Sequence, residues 1–145
     1  MPGVAMDLET GWDFNEEWQI HEATKEIRKK KPKFLLGTPP CGESSNFVHW
    51  LLANKVEPHV LREKLARSEW HCEVCCGFYE HQYWSGNWFL HEHPEPNKSW
   101  NFKCIRRLRS LPGVYTVRGP MCNHDLTSVD RDGNCLLYTS PSPRD

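Results

Sequence analysis

Apolar positions in the first third of the chain switch between strand-like and helix-like spacing. Residues 4–8 form a short apolar run that predicts a strand, and Asn15 is placed to cap a helix behind it. Pro32 ends that helix, and Phe34–Gly37 predicts a second, buried strand. The predicted inward positions of the helix are Trp18, Ile20, Ala23 and Ile27.

The pattern continues after a less regular stretch, residues 45–55, which is compatible with a helical turn. A long helix is predicted from Pro58 to about Ser85, then a strand at 88–90. Ser99 is predicted to cap a third helix, followed by a strand at 114–117. The order β-α-β-α-β-α-β predicts a mostly parallel sheet with flanking helices. Its long helix turns inward Leu61, Leu65, Cys72, Cys75, Cys76 and Tyr79.

Composition narrows the class of protein. The chain has 145 residues, which suits one domain, and its 18 basic and 19 acidic residues give a net charge of −1. A dedicated DNA-binding domain is usually more basic, so any DNA contact needs a local patch. The sequence has no apolar run long enough for a membrane span and no signal peptide pattern, which predicts an intracellular protein. Seven scattered cysteines argue against a disulfide framework.

Two residues with chemical potential follow consecutive predicted strands. Cys41 lies in the loop TPPCGESSNF after the strand at 34–37, and Glu92 lies in HEHP after the strand at 88–90. Adjacent parallel strands bring such loops to one edge of a sheet. A cysteine thiolate that attacks C6 of cytosine makes C5 nucleophilic, and a carboxyl group at N3 assists. The pair therefore suits cytosine-5 methylation.

A longer series of motifs resembles one family. Pro40-Cys41 with Ser45 resembles the nucleophile loop of cytosine-5 DNA methyltransferases, and Glu92 resembles the acidic residue of their next motif. The whole series is most similar to methyltransferase-like domains of retrotransposon-type polyproteins and covers about residues 4–134. Its further members are Asp7-Leu8, Gly11-Trp12-Asp13, Gln82 with Gly86, Phe89 to Pro94, Ser99-Trp100 and Leu111 to Val114.

The resemblance implies a fold, a cofactor and partners. It implies a partial Rossmann-like α/β domain of the class I methyltransferase type, truncated, that uses S-adenosylmethionine. Cys41 would be the nucleophile, with Glu92 and Ser45 beside it in the catalytic group. Asp13 would lie near the cofactor adenine and Asp7 near its ribose, and Pro39 belongs to the same cofactor-binding set. DNA would be the substrate, with its target base flipped out of the duplex, and the rest of a larger polyprotein would be a partner.

The chain also departs from this family. Gly42 and Ser44 replace residues that are common around the nucleophile, and the glycine-rich cofactor loop and the downstream arginine motif are missing. Residues 135–145, CLLYTSPSPRD, resemble a translated sequencing-library adapter, so we interpret them as a non-native tail. Residues 1–134 are then an incomplete domain, which we expect not to methylate DNA by itself.

Two alternatives remain open from the sequence. The chain could be a non-catalytic structural or interaction segment of a mobile-element polyprotein. It could also be a small zinc-binding module built on Cys72-x-x-Cys75 with Cys76, His71 and His81. The spacing of these cysteines on one helical face favours core packing over zinc, so we predict no metal site.

Overall fold

The computed structural model describes residues 3–44, 57–95, 97–119, 127–129 and 135–137. Its helices are α1 (Glu17–Lys30), α2 (Pro58–Trp84) and α3 (Lys103–Arg109), and short 3-10 turns occupy Leu8–Thr10, Gly42–Ser44 and Lys98–Asn101. Its strands are β1 (Phe34–Gly37), β2 (Trp88–His91), β3 (Thr127–Val129) and β4 (Cys135–Leu137).

Strands β1 and β2 form a parallel pair, as the sequence predicted. Phe34 lies opposite Trp88 and Gly37 opposite His91, so the two strands begin and end together. The 27-residue helix α2 lies between them in the chain and packs against both. A strand, a crossover helix and a parallel strand make one βαβ unit, whose loops after each strand meet at one sheet edge.

Helix α1 forms where the sequence predicted it, but two details were wrong. Its N-cap is Glu16, because the Asn15 side chain instead donates to Asp13 Oδ1 at 2.7 Å. Trp18 is 62% exposed, so the buried face of α1 consists of Ala23 and Ile27. The helix ends in a left-handed residue, Lys31, whose N–H bonds to the Ile27 carbonyl.

The core lies between α2, α3 and one face of the sheet. On α2 the predicted inward positions Cys72, Cys76 and Tyr79 are buried, and they pack against the buried face of α3. Tyr79 stacks on Phe89 of β2 with ring centroids 5.0 Å apart. The buried residues of α3 are Cys104, Ile105 and Leu108.

Close packing of α2 on the sheet depends on a glycine. A Cβ at Gly37 would overlap the Tyr79 hydroxyl, so any side chain there would push the helix away from β1. At the other end of the sheet, buried Gln82 donates to the carbonyl oxygens of Pro32 at 2.8 Å and Trp88 at 3.3 Å. Gly37 and Gln82 therefore fix the position of α2 at both ends of the strands.

Helix α3 starts later than predicted and has another cap upstream. A 3-10 turn precedes it, and Asn97 caps that turn by accepting a hydrogen bond from Ser99 N at 2.9 Å. Ser99 is therefore not the helix cap, and its buried hydroxyl has no partner among the described residues. An amide oxygen at Asn97 serves this turn because the chain enters it in an extended conformation.

Two predicted strands are not formed. Residues 4–7 have no regular structure and lead into the Leu8–Thr10 turn, and residues 114–118 are also irregular. Instead, β3 and β4 pair as an antiparallel hairpin, and β4 lies in the segment interpreted as a non-native tail. The predicted helical turn at 45–55 lies outside the described residues, apart from its flanks.

The described part of the chain is thus an α/β fold with a two-stranded parallel sheet and helices packed on one face. Of its helices, none combines the length and the apolar character that crossing a membrane requires.

Candidate functional site

The loop after β1 holds Cys41 by its backbone. The Cys41 carbonyl accepts hydrogen bonds from Ser44 N at 3.3 Å and from Asn97 Nδ2 at 3.1 Å. Ser44 is fully buried, and the 3-10 turn Gly42–Ser44 packs against α2. The Cys41 side chain itself is half-buried, so part of it remains accessible to solvent.

Glu92 is the first residue after β2. Its N–H donates to the Gly37 carbonyl at 3.0 Å, which extends the strand pairing by one step, and its side chain is exposed. Cys41 therefore follows Gly37 by four positions while Glu92 is bonded to Gly37 directly. Both residues therefore follow the ends of neighbouring parallel strands, as the sequence predicted.

Asn97 joins the two loops across the sheet edge. It belongs to the loop after β2, yet its side chain reaches the Cys41 carbonyl in the loop after β1. Asn97 is buried, and its Oδ1 accepts from Ser99 N, so both ends of the amide are used. This one side chain therefore fixes the separation of the two loops.

The two candidate side chains differ in exposure. In β2, exposure alternates so that Trp88, Leu90 and the following Glu92 are exposed. Beyond the end of β1, Pro39 is buried and Cys41 is half-buried. A shared site consequently requires the Cys41 sulfur and the Glu92 carboxyl to converge past the strand ends.

Of the other predicted site residues, Pro39 belongs to the loop after β1, whereas the hydrogen bonds of Asp7 and Asp13 join them to neighbours within the N-terminal segment. Asp7 Oδ1 caps the Leu8–Thr10 turn, accepting from Thr10 N at 2.9 Å. Hydrogen bonds from the backbone and side chain of Asn15 lower the pKa of Asp13. Pro39 is buried, and Ser45 lies outside the described residues.

The histidines on either side of Glu92, buried His93 and half-buried His91, form a ring stack. The His91 and His93 rings lie 5.3 Å apart at an interplanar angle of 17°, and Trp100 meets both edge-on. His91 Nδ1 shares a hydrogen bond with the Tyr79 hydroxyl at 3.2 Å. His91 Nε2 and both ring nitrogens of His93 have no hydrogen-bond partner in the described structure.

Burial determines the charge state of this stack. Burial lowers the pKa of His91 to about 4, and the neighbouring His93 ring adds to the effect. Burial also lowers the pKa of His93 to about 4, which the Glu92 backbone opposes in part. Both rings are therefore neutral at pH 7, which is the form that a mainly apolar setting favours.

The thiols of α2 differ from Cys41 in their surroundings. Burial raises the pKa of Cys72 to about 12 and that of Cys75 to about 11. A hydrogen bond with Cys104, together with burial, raises the pKa of Cys76. These thiols remain protonated at neutral pH, and a protonated thiol is a poor nucleophile and metal ligand.

The zinc interpretation has no ligand set in the described residues. Across 3–44, 57–95 and 97–119, no three histidine, cysteine, aspartate or glutamate side chains are grouped so that they could hold a metal ion. Cys72 and Cys76 instead belong to the hydrophobic core.

Two surface hollows lie away from Cys41 and Glu92. One, of about 370 Å³, runs between α1 and α2 and is lined by Ile20, Trp70 and Phe78 among others. The second, of about 360 Å³, lies between α1 and the N-terminal segment, beside Trp12 and Trp18. Neither hollow is lined by the candidate nucleophile or by the candidate acid.

The comparisons with known proteins give no relative. No family model, curated protein or solved structure matches this chain. The site must therefore be interpreted from its own geometry.

Two residues of this edge were not predicted to have a site role. Asn97 fixes the loop that carries Cys41, and Tyr79 bonds His91 while packing on Gly37. Tyr79 was expected only as a core residue because helical periodicity shows which side faces inward and nothing about hydroxyl partners. The Asn97 amide is a local capping signal, but its second bond joins residues 56 positions apart.

Proposed function

We propose that this chain is a segment of a cytosine-5 DNA methyltransferase-like, Rossmann-like domain and that it contains the half of the site that handles the base. Cys41 is the nucleophile that adds to C6 of cytosine, and Glu92 is the carboxyl group that hydrogen-bonds N3. By itself the chain does not complete methyl transfer.

One observation carries this proposal: the parallel pairing of β1 and β2 sets the Cys41 loop and Glu92 at one edge of the sheet. Loops at the carboxyl ends of parallel strands are where α/β folds place their sites. The bond from Asn97 to the Cys41 carbonyl supports it further, because the thiol is then on a loop of fixed geometry.

The residues present do not fit a cofactor site. In the resembling family, S-adenosylmethionine supplies the methyl group. Here the carboxylates proposed to hold it are bound within their own segment, Asp7 at the Thr10 turn and Asp13 by Asn15. No step through the cofactor is therefore assigned to this chain.

A second function is favoured by a different observation. The outer face of the sheet exposes apolar side chains. Exposed apolar patches of this kind mark interaction sites, which suits a non-catalytic structural or interaction segment of a larger polyprotein. In that case Cys41 and Glu92 would have no common substrate.

Cross-linking distinguishes these two functions. In a Glu92→Cys variant, a short bifunctional maleimide should join the new thiol to Cys41 if the two side chains share a hollow. Trp88→Cys is the matched control, since it lies on the same face at the opposite end of β2 and should not be joined. Cross-linking in Glu92→Cys must also disappear when Cys41 is changed to serine.

Failure to cross-link Cys41 to position 92 under conditions that label both would remove the proposed pair. A methyl-transfer assay with labelled S-adenosylmethionine and cytosine-containing duplex DNA addresses the second half of the proposal. We expect no incorporation, and measurable transfer that depends on Cys41 would contradict the proposal that this chain by itself does not complete methyl transfer.

A further inference from the structure

The outer face of the parallel sheet is apolar at every outward position of its strands. Phe34 and Leu36 of β1 are each 56% exposed, and Trp88 and Leu90 of β2 are 73% and 49% exposed. The register places Phe34 beside Trp88 and Leu36 beside Leu90. We name these four side chains the open sheet face.

The sequence of both strands is that of a sheet covered on both sides. Strands with one solvated face alternate apolar and polar residues, whereas FLLG and WFLH are apolar at both of their outward positions, and their inward positions are Leu35, Gly37, Phe89 and His91. Parallel sheets occur almost only where helices cover both faces. In the described residues α2 and α3 cover only the inner face.

The dimensions of the open sheet face match one helix. Strands of four residues span roughly 13 Å, which about nine residues of α-helix also span. The face of two such strands therefore has room for one short helix.

Charges at the two ends of the strands set the direction of such a helix. Exposed Lys31 and Lys33 precede β1, and exposed Glu92 follows β2. A helix carries partial positive charge at its N-terminus and partial negative charge at its C-terminus. The favourable orientation puts its N-terminus near Glu92 and its C-terminus near the lysines, antiparallel to the strands.

We propose that the open sheet face binds an amphipathic α-helix of a partner polypeptide, lying antiparallel to β1 and β2. The helix covers Phe34, Leu36, Trp88 and Leu90 with an apolar stripe and places its ends at the oppositely charged edges. This proposal does not depend on the chemistry of Cys41, and it gives the interaction role a partner class.

The probe for this proposal is a synthetic twelve-residue leucine- and alanine-based helix, compared with a peptide of the same composition in which the apolar stripe is scrambled. We expect the striped peptide to bind more tightly in titration calorimetry. Leu36→Lys should weaken its binding by about tenfold or more, because the helix would then have to cover a charged group in place of a leucine. Val117→Lys, at an 85% exposed position off the sheet, is the control and should bind as the unaltered protein does.

Nitroxide labels on the peptide test its direction. A label at the peptide N-terminus should broaden the amide signals of Glu92, and one at its C-terminus those of Lys33. Equal binding of the striped and scrambled peptides, or no effect of Leu36→Lys in a variant with unchanged circular dichroism, would overturn the proposal. Two other results would also overturn it: self-association of the protein that Leu36→Lys abolishes, and shielding of Trp88 from quenchers in the free chain. Either result would mean that something other than a partner helix covers the open sheet face.

Discussion

We expect mild acid to destabilise this protein through the stacked rings of His91 and His93. His93 is buried and His91 is half-buried beside Trp100, and neither has a carboxylate among its described hydrogen-bond partners to compensate a positive charge. In the unfolded chain the same imidazoles are in water and accept protons at their ordinary pKa. The perturbation is therefore a change of pH from 7 to 5, with single substitutions to assign its effect.

The magnitude follows from the two pKa values. Each ring has an ordinary pKa of 6.5 that burial lowers to about 4 in the fold. Between these values the unfolded state binds more protons, so the free energy of unfolding falls as the pH falls from about 6.5 to about 4. It is unaffected by these groups above that window. At pH 5 the loss is about 2 kcal/mol for each histidine, out of the roughly 5–15 kcal/mol typical of a domain.

Urea unfolding followed by circular dichroism at pH 7, 6 and 5 measures this loss. His93→Phe should remove about half of the pH dependence while keeping a ring of similar size against Trp100. At pH 7 that variant should be as stable as the unaltered protein or more so, because it removes two buried nitrogens without partners. His21→Gln changes an exposed histidine and should leave the pH dependence intact. A free energy of unfolding that is the same at pH 7 and pH 5, or that His93→Phe leaves equally pH-dependent, would refute this account.

Three further substitutions test the packing of the fold. Gly37→Ala should lower the free energy of unfolding by about 1–3 kcal/mol in urea titration because its Cβ would overlap the Tyr79 hydroxyl, while Gly42→Ala, with open space around it, should change little. Gln82→Ala should cost about 1–3 kcal/mol in the same titration by leaving two carbonyl oxygens without their donor, and an unchanged midpoint would mean that water replaces it. Ile105→Ala should cost about 2–5 kcal/mol in thermal unfolding, and a loss near zero would contradict its place in the core.

The parts of the fold that the sequence predicted well are those with strong periodicity over many residues. Helix α2 runs for 27 residues, and of its six predicted inward positions Cys72, Cys76 and Tyr79 are buried, whereas Leu61, Leu65 and Cys75 are half-buried. Strands β1 and β2 were predictable because each is a continuous apolar run bounded by turn signals. Their parallel pairing followed from the length of the helix between them.

The two strands that failed were predicted from apolar runs of similar composition. A strand is stable only when a neighbour accepts its backbone hydrogen bonds, and a local pattern does not identify that neighbour. In the observed fold Val4, Leu8, Tyr115 and Val117 are exposed. These runs therefore neither pair with a neighbouring strand nor pack into the core. Short apolar runs were consistent with strands, but they did not require them.

At the candidate site, the sequence could give positions along the chain but not directions of side chains. Counting residues after each strand predicted that Cys41 and Glu92 lie at one edge; the two strands end in register at Gly37 and His91, and the Glu92 N–H bonds to the Gly37 carbonyl. The faces they follow depend on the pleat, and the geometry of the Cys41 loop depends on a bond from Asn97. That bond is set by how the turn before α3 packs on α2, which no window of sequence around Cys41 contains.

The Cys41–Glu92 pair and the open sheet face can be tested in one experiment, because Glu92 is exposed at the end of the face that the partner helix would cover, whereas Cys41 is half-buried in the loop after β1. Binding of the striped peptide should slow maleimide labelling of a Glu92→Cys thiol by several-fold while leaving Cys41 labelling unchanged. The reason is steric. The N-terminus of an antiparallel helix would lie over position 92, whereas Cys41 precedes the Gly42–Ser44 turn, which packs against α2 and not on the open sheet face. Equal protection of both thiols would mean that the peptide binds across the edge and not on the sheet. If the peptide leaves the labelling rates of both thiols unchanged, the helix binds elsewhere, even if its affinity is as expected.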